Sequence, residues 1–152
     1  MREILFKGKR IDNGEWVEGY YYKISETTYC FKEDYERKPV PEHHYILQER
    51  MTDWGLPNQM VQIEIDPKTL CQFTGMTDKN GVRIWKNDIV EAWSQGSRAI
   101  GTVKQRVDGL WIMSPAWQNH EFWELKPNSN GETTVEVLVN AFDNPELVQG
   151  SL

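Results

Sequence analysis

Three histidines, two cysteines and 23 acidic residues are the groups through which this 152-residue chain could do chemistry. His43 and His44 are adjacent, and His120 lies far along the chain. Neighbouring residues on a strand point to opposite faces, so the first two cannot readily share one ion, and no metal site is expected. Cys30 and Cys71 have no Cys-x-x-Cys spacing. They read as reduced thiols, with Cys71 a small buried apolar group. Glu33 with Asp34, and Glu121 with Glu124, are carboxylate pairs of the kind an acidic chain produces by chance. Neither Gly-x-Ser-x-Gly, nor His-Glu-x-x-His, nor a phosphate-binding glycine loop occurs. The expectation is a protein without catalytic residues or cofactor.

Cations and aromatics offer a second kind of chemistry. Arg98, Lys104 and Arg106 alternate along one strand-like run, and Trp85, Trp93, Trp111 or Trp117 could stack bases beside them. The competing account makes these tryptophans core and the cations a solvated strand face. The net charge of −6 and pI near 5.1 favour that account, because a grip on phosphate backbones needs surplus Lys and Arg. Phe31 and Tyr35 lie with Tyr29 among charged residues in the 25–49 stretch, a mix suited to an arm packing on another subunit or to a flap over the chain's own sheet.

The elements that must position these groups read as β-structure. Asn13-Gly14, Asn80-Gly81, Asp108-Gly109 and Asn130-Gly131 each sit between candidate strands, the pairing that marks hairpin turns. Residues 4–7 and 15–24 form an opening hairpin. Within 25–49, a short strand is expected at 28–32, a polar loop at 33–41 and a strand at 44–48. Residues 52–58 read as a loop, and 60–65 as a strand with Val61, Ile63 and Ile65 on its buried face. The chain is organised around 70–93: strand, loop ending in Asn80-Gly81, strand, turn at Lys86-Asn87, and a strand apolar on both faces at 88–93. A hairpin spans 100–113, followed by short strands at 121–125 and 133–139. Val135, Val137 and Val139 are expected to be buried together, with Glu136 exposed. Asp143 or Asn144 can cap a last short helix with Pro145 at its first position.

The run TGMTDKNGVRIWKNDIVE resembles the signature of the YopX family of phage and prophage proteins. GKRIDNGEWVEGY near the start and FDNPELV near the end resemble that family's opening and closing segments. Asn87 stands where the family pattern has Gly, a substitution compatible with positive φ. VEVLVNAF departs from the family's Ile-Gly-Asn-Ile-Tyr pattern. The resemblance implies a mostly-β fold and no catalytic motif.

The expected fold is mainly β: antiparallel strands, a small SH3-like, partly open barrel in the second half, and a short C-terminal helix. The expected division is a β-rich portion at 1–65, a barrel module at 66–142 and a capping segment at 143–152, with Asp66-Pro67-Lys68 as a hinge; the alternative is one compact unit. The expected role is non-enzymatic, a protein-interaction module; the alternatives are a nucleic-acid-binding small barrel and, less favoured, an enzyme. Partners would be a second copy of the chain or a host or phage protein, with nucleic acid disfavoured by charge. No run approaches the roughly 20 apolar residues of a membrane span, and no signal peptide is recognised, so the expected place is the cytoplasm of a bacterial host. The candidate interaction surface comprises Trp85, Trp93, Arg98, Lys104, Arg106, Trp117, Phe31 and Tyr35.

Overall fold

The computed structural model describes residues 3–94, 97–115 and 123–145. It is mainly β, built of antiparallel strands, and its residues group into two compact units: Leu5–Leu70, and Met1–Ile4 with Cys71–Leu152. The 3-10 turn at Pro67–Thr69, capped by the Asp66 side chain accepting from the Lys68 N–H, belongs to the first unit.

In the first unit, β1 (Phe6–Lys9) and β2 (Trp16–Ser25) form the opening hairpin, and β3 (Glu42–Arg50) and β4 (Gln59–Glu64) extend it in the spatial order β4-β3-β2-β1. Between β2 and β3 the structure departs from expectation. Residues 28–30 are not a strand, and Lys32–Arg37 is a short helix, α1, where a loop was expected. No residue of α1 is buried, so it has no apolar stripe to show in the sequence. Its only signals are Glu33 and Asp34 in the first turn and Arg37 in the last, which suit the helix dipole. Alternation in β4 is as expected: Ile63 and then Ile65 are buried, with Val61 packed beside them. Val17, Ile46, Ile63 and Ile65 form this unit's core. The sheet curls until its outer strands meet at one end, where Arg10 bridges Ile65 and the Ile11 N–H donates to the Glu64 carbonyl at 3.2 Å.

In the second unit, β5 (Cys71–Thr77) pairs with β6 (Arg83–Trp85). The loop between them turns at Gly81, whose φ of 81° lies in the left-handed region that only Gly adopts cheaply. Asn87 has φ 72°, in keeping with the Asn-for-Gly exchange. Five strands then form an open sheet: β7 (Asp88–Ser94), β8 (Ser97–Gln105), β9 (Trp111–Pro115), β10 (Trp123–Glu124) and β11 (Glu136–Asn140), in spatial order β10-β9-β8-β7-β11. The expected SH3-like barrel does not appear as a closed ring among the described residues, because β10 and β11 are the two ends of this sheet. Val90, Ala92, Ala99, Val103, Trp111 and Met113 lie on one face and join Met76, Ile84, Leu125 and Val135 in the core.

The last strand corrects the expected valine register. Val137 pairs with Val90 but Val139 pairs with Ile89, an adjacent residue of β7. That one-residue irregularity is a bulge, and it turns Val139 to the face opposite Val137. Val135 is buried, whereas Val137, Val139 and Glu136 are all half-buried. The expected C-terminal helix lies mostly outside the described residues, which reach Pro145.

Candidate interaction surface

The side chains singled out in the sequence are divided between the two units. Trp85 is only 4% exposed; it packs against Phe73 with ring centroids 5.3 Å apart and belongs to the fold. Trp111 is core as well. Trp93 is 60% exposed and sits opposite Arg98 on the outer face of the five-stranded sheet. Between them Glu91 accepts from the Trp93 Nε1–H at 3.0 Å and pairs with Arg98 Nη2 at 2.9 Å, so the cation and the indole share one carboxylate. Lys104 is exposed farther along β8. Arg106 is past the end of β8, in the turn, where it forks onto Asp108. That guanidinium, with the Leu110 N–H, lowers the Asp108 carboxyl to about 2. Trp117 and His120 lie outside the described residues. Phe31 is 68% exposed and precedes α1, while the Tyr35 hydroxyl accepts from the Tyr29 N–H at 2.8 Å and the two rings meet edge-on.

The titratable groups are engaged in structure. His43 is bracketed by Glu64, on Nδ1 at 2.7 Å, and Glu26, on Nε2 at 2.8 Å. Its pKa is raised from 6.5, first by the Glu64 hydrogen bond and then by Glu26. His44 points to the other face, 2.7 Å from the Tyr21 hydroxyl. Among the described residues no cluster of three or more His, Cys, Asp or Glu could hold a metal ion. Cys71 is fully buried, and its sulfur is 3.9 Å from Asn87 Nδ2.

The acidic residues of the TDKNG and NDIVE segments are fold-holding groups. Asp78 is buried and accepts from the Asn80 and Val82 N–H groups at 2.8 and 2.9 Å through one oxygen, and from the Val137 N–H at 3.0 Å through the other. Asp88, also buried, accepts from the Trp85 N–H at 2.8 Å and from Asn140 Nδ2 at 3.1 Å. Each ties a turn to β11, which leaves both carboxylates committed to backbone and amide donors.

The surface that composition did not reveal lies in the first unit. Of the fourteen large apolar and aromatic side chains exposed among the described residues, nine belong to Leu5–Leu70. The β3–β4 loop carries the two most exposed of these, Trp54 at 89% and Met51 at 69%, together with Leu56 at 58%. Tyr20, Ile24 and Met60 are exposed on the sheet face opposite the Ile46–Ile63 core, beside the stacked Tyr22 and Tyr45 rings. A lone exposed apolar residue is ordinary, so it is the number of them in this one unit that sets it apart. The residues 52–58 read as a loop from Gly55 and Pro57; Trp54 within it was the available signal.

The second unit has an open cleft of about 480 Å³ lined by Trp93, Trp123, Glu124, Lys126 and Val135. Its charged groups are of opposite sign and exposed, the buried Thr133 hydroxyl on its wall donates to the Thr77 carbonyl, and no buried side-chain polar atom among the described residues lacks a partner.

The sequence profile of the YopX protein family matches residues 5–149. The chain belongs to the YopX family. Among curated proteins none matches it. It is similar to a solved structure, protein EF1440 from Enterococcus faecalis, at 15% identity, with 97% of this chain and 99% of that chain covered and a TM-score of 0.44. Among the described residues no helix is long and apolar enough to cross a membrane.

Proposed function

We propose that this YopX-family chain is a non-enzymatic protein-interaction module of phage or prophage origin, acting in the bacterial cytoplasm. Its contact surface is the exposed apolar patch of residues 5–70, and its partner is a second copy or a host or phage protein. The observation that carries this is the β3–β4 loop, where Met51, Trp54 and Leu56 stand in water with no core beneath them to fill. Trp and Met are the residue types enriched at interface centres. A fold that needs only its own core would gain solubility by replacing them.

Nucleic-acid binding has less support. Arg98 and Arg106 already face Glu91 and Asp108, so phosphate would have to displace a carboxylate at each. Trp85 and Trp111 are core, which leaves Trp93 as the exposed platform among the three described candidates.

Sedimentation velocity over a concentration series, with retention on immobilised single-stranded DNA at rising salt, separates the two accounts. The interaction module predicts a defined complex mass, with itself or a purified partner, and no salt-dependent retention. Retention on DNA that falls steeply with salt, from a protein that forms no complex with itself or with host or phage proteins, would overturn it.

A further inference from the structure

The outer edge of β4 gives this surface a specific geometry. The register of β3 with β4, and the Ile65 N–H donating to the His44 carbonyl at 2.9 Å, fix which residues of β4 bond to β3. They are the odd-numbered ones, Ile63, Val61 and Gln59, together with Ile65. The N–H and C=O groups of Met60, Gln62 and Glu64 therefore point away from the sheet. The Glu64 carbonyl is taken by the Ile11 N–H. Beside Met60 and Gln62 no strand of the described residues is paired, so each presents a donor and an acceptor outward.

Such an edge invites another chain, and proteins that must stay monomeric guard it with Lys, Pro or a bulge. The strand Gln-Met-Val-Gln-Ile-Glu contains neither Lys nor Pro, and its six residues run in unbroken register with β3. An open cleft of about 290 Å³ runs along it, walled on the far side by Arg10, Ile11 and Asp12.

We propose that a second copy of this chain pairs antiparallel with β4 across a two-fold axis at Val61, joining two sheets edge to edge. This rests on residues 5–70 being an interaction surface, and it names the occupant and the register. An axis at Val61 sets Met60 against the partner's Gln62 and Gln62 against the partner's Met60. Every outward donor and acceptor of those two residues then has a counterpart. The pairing ends at these two residues, because the Ile11 N–H already holds the Glu64 carbonyl that would otherwise face the partner's Asn58. An axis one residue later would set Met60 against the partner's Glu64, whose carbonyl is already engaged by that copy's Ile11. Antiparallel pairing also carries the partner's loop, with its Leu56 and Trp54, toward the exposed Ile11. One symmetric contact of this kind covers apolar groups at both ends of β4, and symmetric self-complementary contacts are how most homodimers form.

The test compares wild type, Gln62→Ala and Gln62→Pro by light-scattering mass over a concentration series from about 1 to several hundred µM, a range spanning weak to moderate dimer affinities. Proline removes only the outward N–H, at an edge position where the ring meets solvent, so β3 pairing is kept. Alanine controls for the side chain. A dimer in wild type and Gln62→Ala, weakened about tenfold or more in Gln62→Pro, is the expected result. A dimer unchanged in Gln62→Pro would overturn the β4 edge and leave the wider interaction surface standing. Wild type that stays monomeric throughout would overturn the second copy as occupant; the wider surface then fails only if purified host and phage proteins form no complex either. Should Gln62→Pro not fold, amide exchange on wild type decides. Met60 and Gln62 amides slowed in concentrated relative to dilute protein support the pairing, and unchanged rates refute it.

Discussion

Replacing Asp78 should unfasten the second unit without touching its apolar core. The carboxylate is buried and receives three backbone N–H groups: Asn80 and Val82 from its own loop, and Val137 from β11, 59 residues away. In Asp78→Ala the loop donors sit in an exposed turn and are recovered by water, so each costs about 0.5–1.5 kcal/mol. The Val137 donor is partly buried and short of a substitute, at about 1–3 kcal/mol. Together these come to about 2–6 kcal/mol, a large share of the roughly 5–15 kcal/mol that holds a domain folded. Asp78→Asn keeps one acceptor oxygen for the loop but sets an amide NH2 against the Val137 N–H. It should therefore lie between wild type and Asp78→Ala. Urea unfolding followed by tryptophan fluorescence measures both, with midpoints shifted and slopes unchanged. A loss below about 0.5 kcal/mol in Asp78→Ala would refute the claim that this aspartate joins loop to strand.

Gly81→Val should cost about 1–3 kcal/mol by equilibrium unfolding, because the φ of 81° is strained for a β-branched residue even though nothing lies within 4 Å of a Cβ there. Gly19→Ala should be worse: its Cβ would stand 2.1 Å from the Leu47 carbonyl oxygen, so β2 and β3 must separate, visible as faster exchange of their amides. Trp54→Ser should leave the unfolding midpoint nearly unchanged, within about 0.5 kcal/mol, while weakening self-association, since a side chain 89% exposed gives the monomer little. His43 should titrate above 6.5 by NMR, first because of Glu64 and then Glu26. A raised folded pKa means that its contribution is full below the unfolded value and is lost as pH rises through the folded one. Wild type should thus lose its advantage over His43→Gln between mildly acidic and alkaline pH, and a growing advantage would reverse the assigned sign.

Strands were legible wherever one face was apolar or a turn needed positive φ. Val61, Ile63 and Ile65 announced β4, and Gly14, Gly81, Gly109 and Gly131 all adopt positive φ at the ends of strands. Three features were not legible, each for a physical reason. Helix α1 buries nothing, so no 3.6-residue apolar period exists to be found. The bulge between Val137 and Val139 is invisible to a count of alternating valines, because nothing in the side-chain pattern says that one residue is left unpaired. The tryptophans could not be sorted because β7 is apolar on both faces: Val90 and Ala92 line the core, while Trp93, of opposite parity, meets water. The candidate surface was legible only in part. Phe31 and Tyr35 stand out by their place among charges, but the Gly and Pro of 52–58 mark that stretch as a loop and draw no attention to Trp54, although a tryptophan in a turn has no local backbone reason to be there.

Hydroxyl-radical footprinting at low and high protein concentration tests the interaction surface most directly, since methionine and tryptophan report their own exposure by oxidation. Met51, Trp54 and Met60 should oxidise readily in dilute solution and be protected together in concentrated solution, while Trp93, on the other unit, stays equally reactive in both. Uniform reactivity of all four at every concentration, unaltered by purified host and phage proteins, would contradict a role for this surface in binding protein.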